Sequence, residues 1–101
     1  MALILEFLYG SIKGERRFDG NLIRVGRDPQ GEIAFDFQKD PAVSFNHAII
    51  EAAAGRYELK DLGSTNGTFV DLERIEHHVL YNQNEFRIGS HVLMFIVTEV
   101  E

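Results

Sequence analysis

Three short polar clusters hold most of the side chains in this sequence that could do chemistry. They are Gly26-Arg27-Asp28-Pro29, Ser44-Phe45-Asn46-His47 and the run Asp61-Leu62-Gly63-Ser64-Thr65-Asn66-Gly67-Thr68-Phe69-Val70. Catalytic readings fail on residue type. Gly63 to Gly67 has the outline of a nucleophile elbow, but its centre is Thr65, and a strand-like stretch follows where an elbow needs a helix. The segment from Asp61 begins like a calcium loop, yet Leu72 stands where the bidentate glutamate belongs. No glycine-rich phosphate loop ends in Gly-Lys-Ser/Thr, and no cysteine supplies a thiolate or a zinc ligand. The histidines are His47, His77, His78 and His91. The adjacent pair reads as part of a polar loop before Val79, and on a strand it would point to opposite faces, so no metal site is expected. Taken singly, the three clusters also have structural readings: a solvated arginine, a helix cap or satisfied core histidine, and an ordinary hairpin loop.

The elements that must position these clusters read as strands. Nine glycines and two prolines punctuate the chain, and between them lie short apolar stretches rich in β-branched and aromatic residues. Leu3 to Tyr9 and Val92 to Val97 are apolar runs of the kind found in strands buried on both faces or central in a sandwich. Tyr57 and Leu59 alternate with Arg56, Glu58 and Lys60, and Phe86 and Ile88 alternate with Glu85 and Arg87, the period-two mark of a strand with one wet face. Asn66-Gly67 is the strongest local turn signal. Ser44 to Ala54 admits two readings. One is a helix capped by Ser44 and ended by Gly55. The other is a strand from Ala48 to Glu51 with a turn over Ala52 to Gly55, favoured by the partner stretch at Arg56 to Lys60 and the lack of a charged face on the helix.

Composition bounds the answer. A chain of 101 residues with 45% hydrophobic and 26% charged residues is expected to make one globular domain over 1–101, burying somewhat under ~70% of its unfolded surface. Its net charge of −6 argues against extended polyanions such as nucleic acid and against anionic membranes. No apolar run approaches the ~20 residues of a spanning helix, and the amino terminus lacks a basic leader, so a cytoplasmic, intracellular setting is expected.

In their order and spacing the three clusters resemble the forkhead-associated (FHA) domain, from about Leu3 to Val97. The anchors are Gly26-Arg27, Ser44 and His47 as Ser-x-x-His, and Asp61 to Val70. The resemblance implies an all-β fold, a β-sandwich of two twisted sheets with about eleven short strands. It also implies that loops at one end bind phosphothreonine in an extended segment of a Ser/Thr kinase target, with no catalysis and no cofactor. A phosphate brings about −1.5 to −2 charges and three acceptors, and so calls for fixed cationic and hydroxyl donors. By this resemblance Arg27 supplies the charge, Ser44 and Thr65 donate hydroxyls, and Asn66 holds the peptide backbone. Gly26, His47 and Gly67 support the site, Gly26 by close packing and His47 by tethering loops.

Phe45 departs from the pattern, because the family commonly carries Arg, Lys or Asn there for a further phosphate contact. Its loss is expected to weaken binding about ten- to a hundredfold, although the Phe45 backbone N–H remains a donor and the ring can pack against the peptide. Asp71 stands where the family often has Asn. Asp36 and Asp40 are expected on the approach to the site, disfavouring acidic flanks and leaving neutral or basic peptides as the better partners. The competing reading is a phosphate-independent interaction module on the same fold.

Overall fold

A computed structural model of the chain describes residues 2–98, with side chains described over 2–93. The strands are β1 (Ala2–Tyr9), β2 (Gly14–Phe18), β3 (Leu22–Gly26), β4 (Ile33–Ala34), β5 (Ala48–Ala53), β6 (Arg56–Asp61), β7 (Thr68–Val70), β8 (Glu73–Ile75), β9 (His77–Leu80), β10 (Glu85–Ile88) and β11 (His91–Thr98). No helix occurs among the described residues. A six-stranded sheet has the order β2-β1-β11-β10-β7-β8, and a five-stranded sheet the order β4-β3-β5-β6-β9. Every pairing is antiparallel except the parallel contact of β3 with β4.

Period-two patterning explains the layers. Leu3, Leu5 and Phe7 of β1, with Phe86 and Ile88 of β10, face Ile23 and Val25 of β3, Ile50 of β5 and Tyr57 and Leu59 of β6 in one core between the sheets. Each such side chain contributes about 1.5–3 kcal/mol on burial. The β1 stretch is not buried on both faces. Ile4 and Glu6 on its outer side are half-covered, and Leu8 and Tyr9 are exposed. For the Val92 to Val97 run the backbone forms β11, and the burial of its side chains beyond Leu93 lies outside the described residues.

The ambiguous Ser44 to Ala54 stretch is loop followed by strand, and its turn is tighter than expected. Ala53 pairs with Arg56, so Ala54 and Gly55 alone make the bend, with φ of 54° and 76°. Positive φ at both central residues is the type I′ geometry that matches the twist of a hairpin. Asn66-Gly67, by contrast, closes no hairpin, because β6 and β7 belong to different sheets and the loop between them crosses over. His77 and His78 lie in β9 rather than in a loop, where His77 Nδ1 meets Glu58 Oε2 at 3.0 Å.

Register brings the clusters together. Val25 pairs with Ala48 and Ala48 with Asp61, so the end of β3, the start of β5 and the end of β6 lie side by side. Thr68 pairs with Ile88, and Ile88 with His91, which brings the start of β7 and the β10–β11 turn alongside one another. No helix of the described residues is long and apolar enough to cross a membrane.

Candidate functional site

Arg27 leaves β3 just beyond Gly26, and the backbone there fits tightly against the Ser44 loop. A Cβ on Gly26 would lie 2.1 Å from the Phe45 carbonyl oxygen, so only glycine fits without moving the loop. The Arg27 N–H donates to the Ser44 and Phe45 carbonyls at 3.2 and 3.0 Å, and Asp28 N–H reaches the same Phe45 oxygen at 3.3 Å. The Arg27 Nε donates to the Val43 carbonyl. Among the described residues its terminal guanidinium nitrogens have no further hydrogen bond and no ion pair. Backbone contacts thus anchor a half-buried cation while its charged end stays available.

His47 joins this loop to the next one. It is fully buried, its Nδ1 accepts from Ser44 N–H at 3.0 Å, and its Nε2 lies 2.9 Å from the Gly67 carbonyl. An acceptor at Nδ1 makes Nε2 the protonated nitrogen, so the ring is neutral and donates to Gly67. Burial lowers its pKa below the ordinary histidine value, against the pull of the Gly67 carbonyl and of Asp61. Ser44 Oγ accepts from Thr65 N–H at 3.1 Å, which leaves its own proton to donate elsewhere. Asn66 Nδ2 donates to the Ala42 carbonyl at 2.9 Å, and its amide oxygen stays available as an acceptor. Thr65 is exposed, and its hydroxyl has no partner among the described residues.

One organiser of the long loop escaped the reading from sequence. Asp61, at the end of β6, accepts from Ser64 Oγ at 2.5 Å and Thr68 Oγ1 at 2.7 Å, and from Gly63 and Ser64 N–H at 3.0 and 3.1 Å. Burial pushes its pKa up, but these four donors outweigh that and hold it below the usual carboxylate range. Ser64 Oγ in turn accepts from Gly67 N–H at 3.0 Å. The signal was present as an aspartate two residues before Gly63-Ser64, the spacing of an Asx turn. Arg74 on β8 also escaped notice. It donates to the Ser64 carbonyl at 3.4 Å and adds a second cation beside the loop.

The structure brings Arg27, Ser44, Thr65 and Asn66 to one end of the sandwich, joined by direct contacts between their loops. Phe45 is half-exposed beside them, and its N–H has no partner among the described residues. Asp36 is exposed and accepts from Gln38 and Lys39 N–H in a local turn. The placement expected for Asp40 is wrong. It is buried, with His91 Nε2 2.7 Å from its Oδ1 and Ser11 Oγ donating to its Oδ2 at 3.0 Å, so it does not face an approaching ligand. Its partner at His91 is far away in sequence, where no local pattern could reveal it. No group of three or more His, Cys, Asp or Glu among the described residues is placed to hold a metal ion.

Comparison with known families settles the kinship. The FHA domain family model matches residues 23–89, which include all three clusters. The chain belongs to the FHA domain family. The glycogen accumulation regulator GarA of Mycolicibacterium smegmatis is 38% identical over 72 residues, covering 71% of this chain and 44% of that protein. An oxoglutarate dehydrogenase inhibitor of Corynebacterium jeikeium is 37% identical over 78 residues, 77% of this chain and 52% of its own length. The chain therefore spans about half the length of these relatives. Among solved structures, Mycobacterium tuberculosis EmbR in complex with a low-affinity phosphopeptide superposes with a TM-score of 0.86 at 26% identity, over 99% of this chain and 25% of that one. The FHA sandwich of two sheets expected from the resemblance is the fold observed.

Proposed function

We propose that this FHA domain is a protein–protein interaction module that binds a phosphothreonine-bearing segment of a partner protein, through Arg27, Ser44, Thr65 and Asn66 on loops at one end of the sandwich. The observation that carries the assignment of residues is the unengaged end of the Arg27 guanidinium in a loop pinned to Ser44, whose hydroxyl is itself pinned to Thr65 N–H. A phosphate bound there would meet one full charge and two hydroxyls whose protons are not committed elsewhere among the described residues, and such charge-assisted bonds contribute about 1.5–3 kcal/mol each. Gly26, His47 and Gly67 hold the loops at the spacing the ligand needs. The net charge of −6 does not oppose this, because one phosphate answers to one local cluster.

The names of the relatives, a regulator and an enzyme inhibitor, support a role exercised by binding, without catalysis or cofactor. The partner is a target of a Ser/Thr kinase, and the cytoplasm is the setting in which that mark is written and erased. Calorimetric titration with a phosphothreonine peptide, its phosphoserine counterpart and its unmodified form tests the reading. The phosphothreonine form is expected to bind best, and equal affinity for all three would replace this reading with a phosphate-independent module. Arg27→Ala is expected to abolish phosphopeptide binding, a loss of about a hundredfold or more.

A further inference from the structure

Large apolar side chains left in water on a small domain are informative when several converge. Leu22, Phe45 and Leu62 are 44%, 51% and 46% exposed, and all three line a single groove of about 290 Å³. Ile49 of β5 forms part of its lining, and Gly26 and Arg24 of β3 also border it. The groove lies on the outer side of the five-stranded sheet, since its lining residues Leu22, Arg24 and Ile49 alternate along their strands with Ile23 and Ile50 of the core. Its nearest cation is spent. Arg24 donates from Nε to Glu32 Oε1 at 3.0 Å and from Nη2 to the Gln30 carbonyl at 2.8 Å, and this partnership holds Glu32 down to about 2. What the groove offers a ligand is mainly hydrocarbon.

Its position identifies the occupant. Phe45 follows Ser44 directly, and the Phe45 carbonyl accepts the N–H groups of Arg27 and Asp28. Leu62 N–H donates to the His47 carbonyl at 2.9 Å, so the second wall is tied to the same loop. The groove is thus continuous with the phosphate cluster and shares Phe45 with it. An extended peptide advances about 3.3 Å per residue, so a segment anchored by its phosphate has neighbouring side chains within reach of this groove. At this volume, near the low end of the ~300–1,000 Å³ of small-ligand pockets, the groove suits one branched aliphatic or aromatic side chain.

We propose that Leu22, Phe45, Ile49 and Leu62 form an apolar subsite that selects partners carrying a large apolar residue near the phosphothreonine. On this view Phe45 exchanges a further phosphate contact for sequence selectivity. The proposal rests on the phosphothreonine reading above, and the test separates the two. A panel of phosphothreonine peptides in an alanine background, with one leucine moved through each flanking position, is titrated against the protein. One register is expected to bind about tenfold more tightly than the all-alanine peptide, the ratio that burial of a leucine supports. Leu62→Asn is expected to erase that preference while the affinity for the all-alanine phosphopeptide stays unchanged. Phe45→Ala is expected to erase the preference as well. Phosphopeptides that bind with no favoured leucine position would overturn the subsite and leave the phosphothreonine reading intact, as would a preference that survives both substitutions. If no phosphopeptide binds at any leucine position, the phosphothreonine reading falls and the subsite falls with it.

Discussion

His47 and His91 are buried to the same degree, at 0% and 1% exposure, yet they brace the loops of the proposed site by opposite means. His47 is a neutral ring with both nitrogens on backbone partners, Ser44 N–H and the Gly67 carbonyl. It joins the loop that carries Ser44 to the loop that carries Thr65 and Asn66. His91 opens β11, with Nε2 on the Asp40 carboxylate and its ring tilted against Phe35 at 4.1 Å between centroids. Its Nδ1 has no partner among the described residues and faces Gly10, where a Cβ would come within 2.0 Å of it. Asp40 carries the brace onward, accepting from Ser11 Oγ and Asp36 N–H, and so ties the loop before Ser44 to the six-stranded sheet. One histidine ties two loops to each other, and the other ties the segment before Ser44 to the six-stranded sheet.

If that division is right, the two positions fail differently. His91→Ala strips a buried carboxylate of its closest partner and opens a cavity, and should lower the unfolding free energy by about 3 kcal/mol or more in urea denaturation. His47→Ala also opens a cavity and leaves the Ser44 N–H and the Gly67 carbonyl unpaired, but strands no charge, at a cost of about 2–3 kcal/mol. Binding measured well below the unfolding transition should nevertheless fall further in His47→Ala than in His91→Ala. The reverse order would mean that His91, not His47, shapes the loops. Gly10→Ala sharpens the contrast at a cost of about 1–2 kcal/mol, since φ is 129° there and the added methyl meets the His91 ring. In the His91→Ala background the steric share of that cost should vanish, and a double-mutant cycle measures it.

The smallest effect is in pH. The folded pKa of His47 lies below its ordinary value of 6.5, so below about that pH the unfolded chain binds more protons than the folded one, and stability drops as acid is added. The drop is bounded by about 1.4 kcal/mol per pH unit. Asp61, held below its usual range of 3.8, adds nothing in this window. Urea denaturation of the free protein at about pH 7.5 and about pH 5.5 should show a decline that His47→Gln reduces, because glutamine does not titrate there. An unchanged decline in the variant would assign it to another group.

Much of this protein could be read locally. Period-two alternation marked Tyr57 and Leu59 and Phe86 and Ile88 as inward-facing, and the run from Asp61 to Val70 stood out because a tight loop of small polar residues has few uses in packing. Asp40 was misread for the converse reason. Within its own segment it is one charge among polar neighbours, and its burial depends on His91, 51 residues away. Asp61 was passed over as the first residue of a motif, when four hydrogen bonds make it the centre of the loop. The Asn66-Gly67 signal correctly marked a bend but not its purpose, since a dipeptide does not encode which sheet the chain enters next.

By itself, then, the sequence marked many of the strands through side-chain type and short spacing, and its resemblance to the FHA family implied the sandwich and the residues eligible to hold a phosphate. Only the tertiary structure decided that Leu22, Phe45 and Leu62 share one groove, that one buried histidine wires the loops while another braces their base, and that Asp40 faces inward. Those outcomes depend on pairings between distant strands, where register and burial, not local propensity, choose each side chain's neighbours.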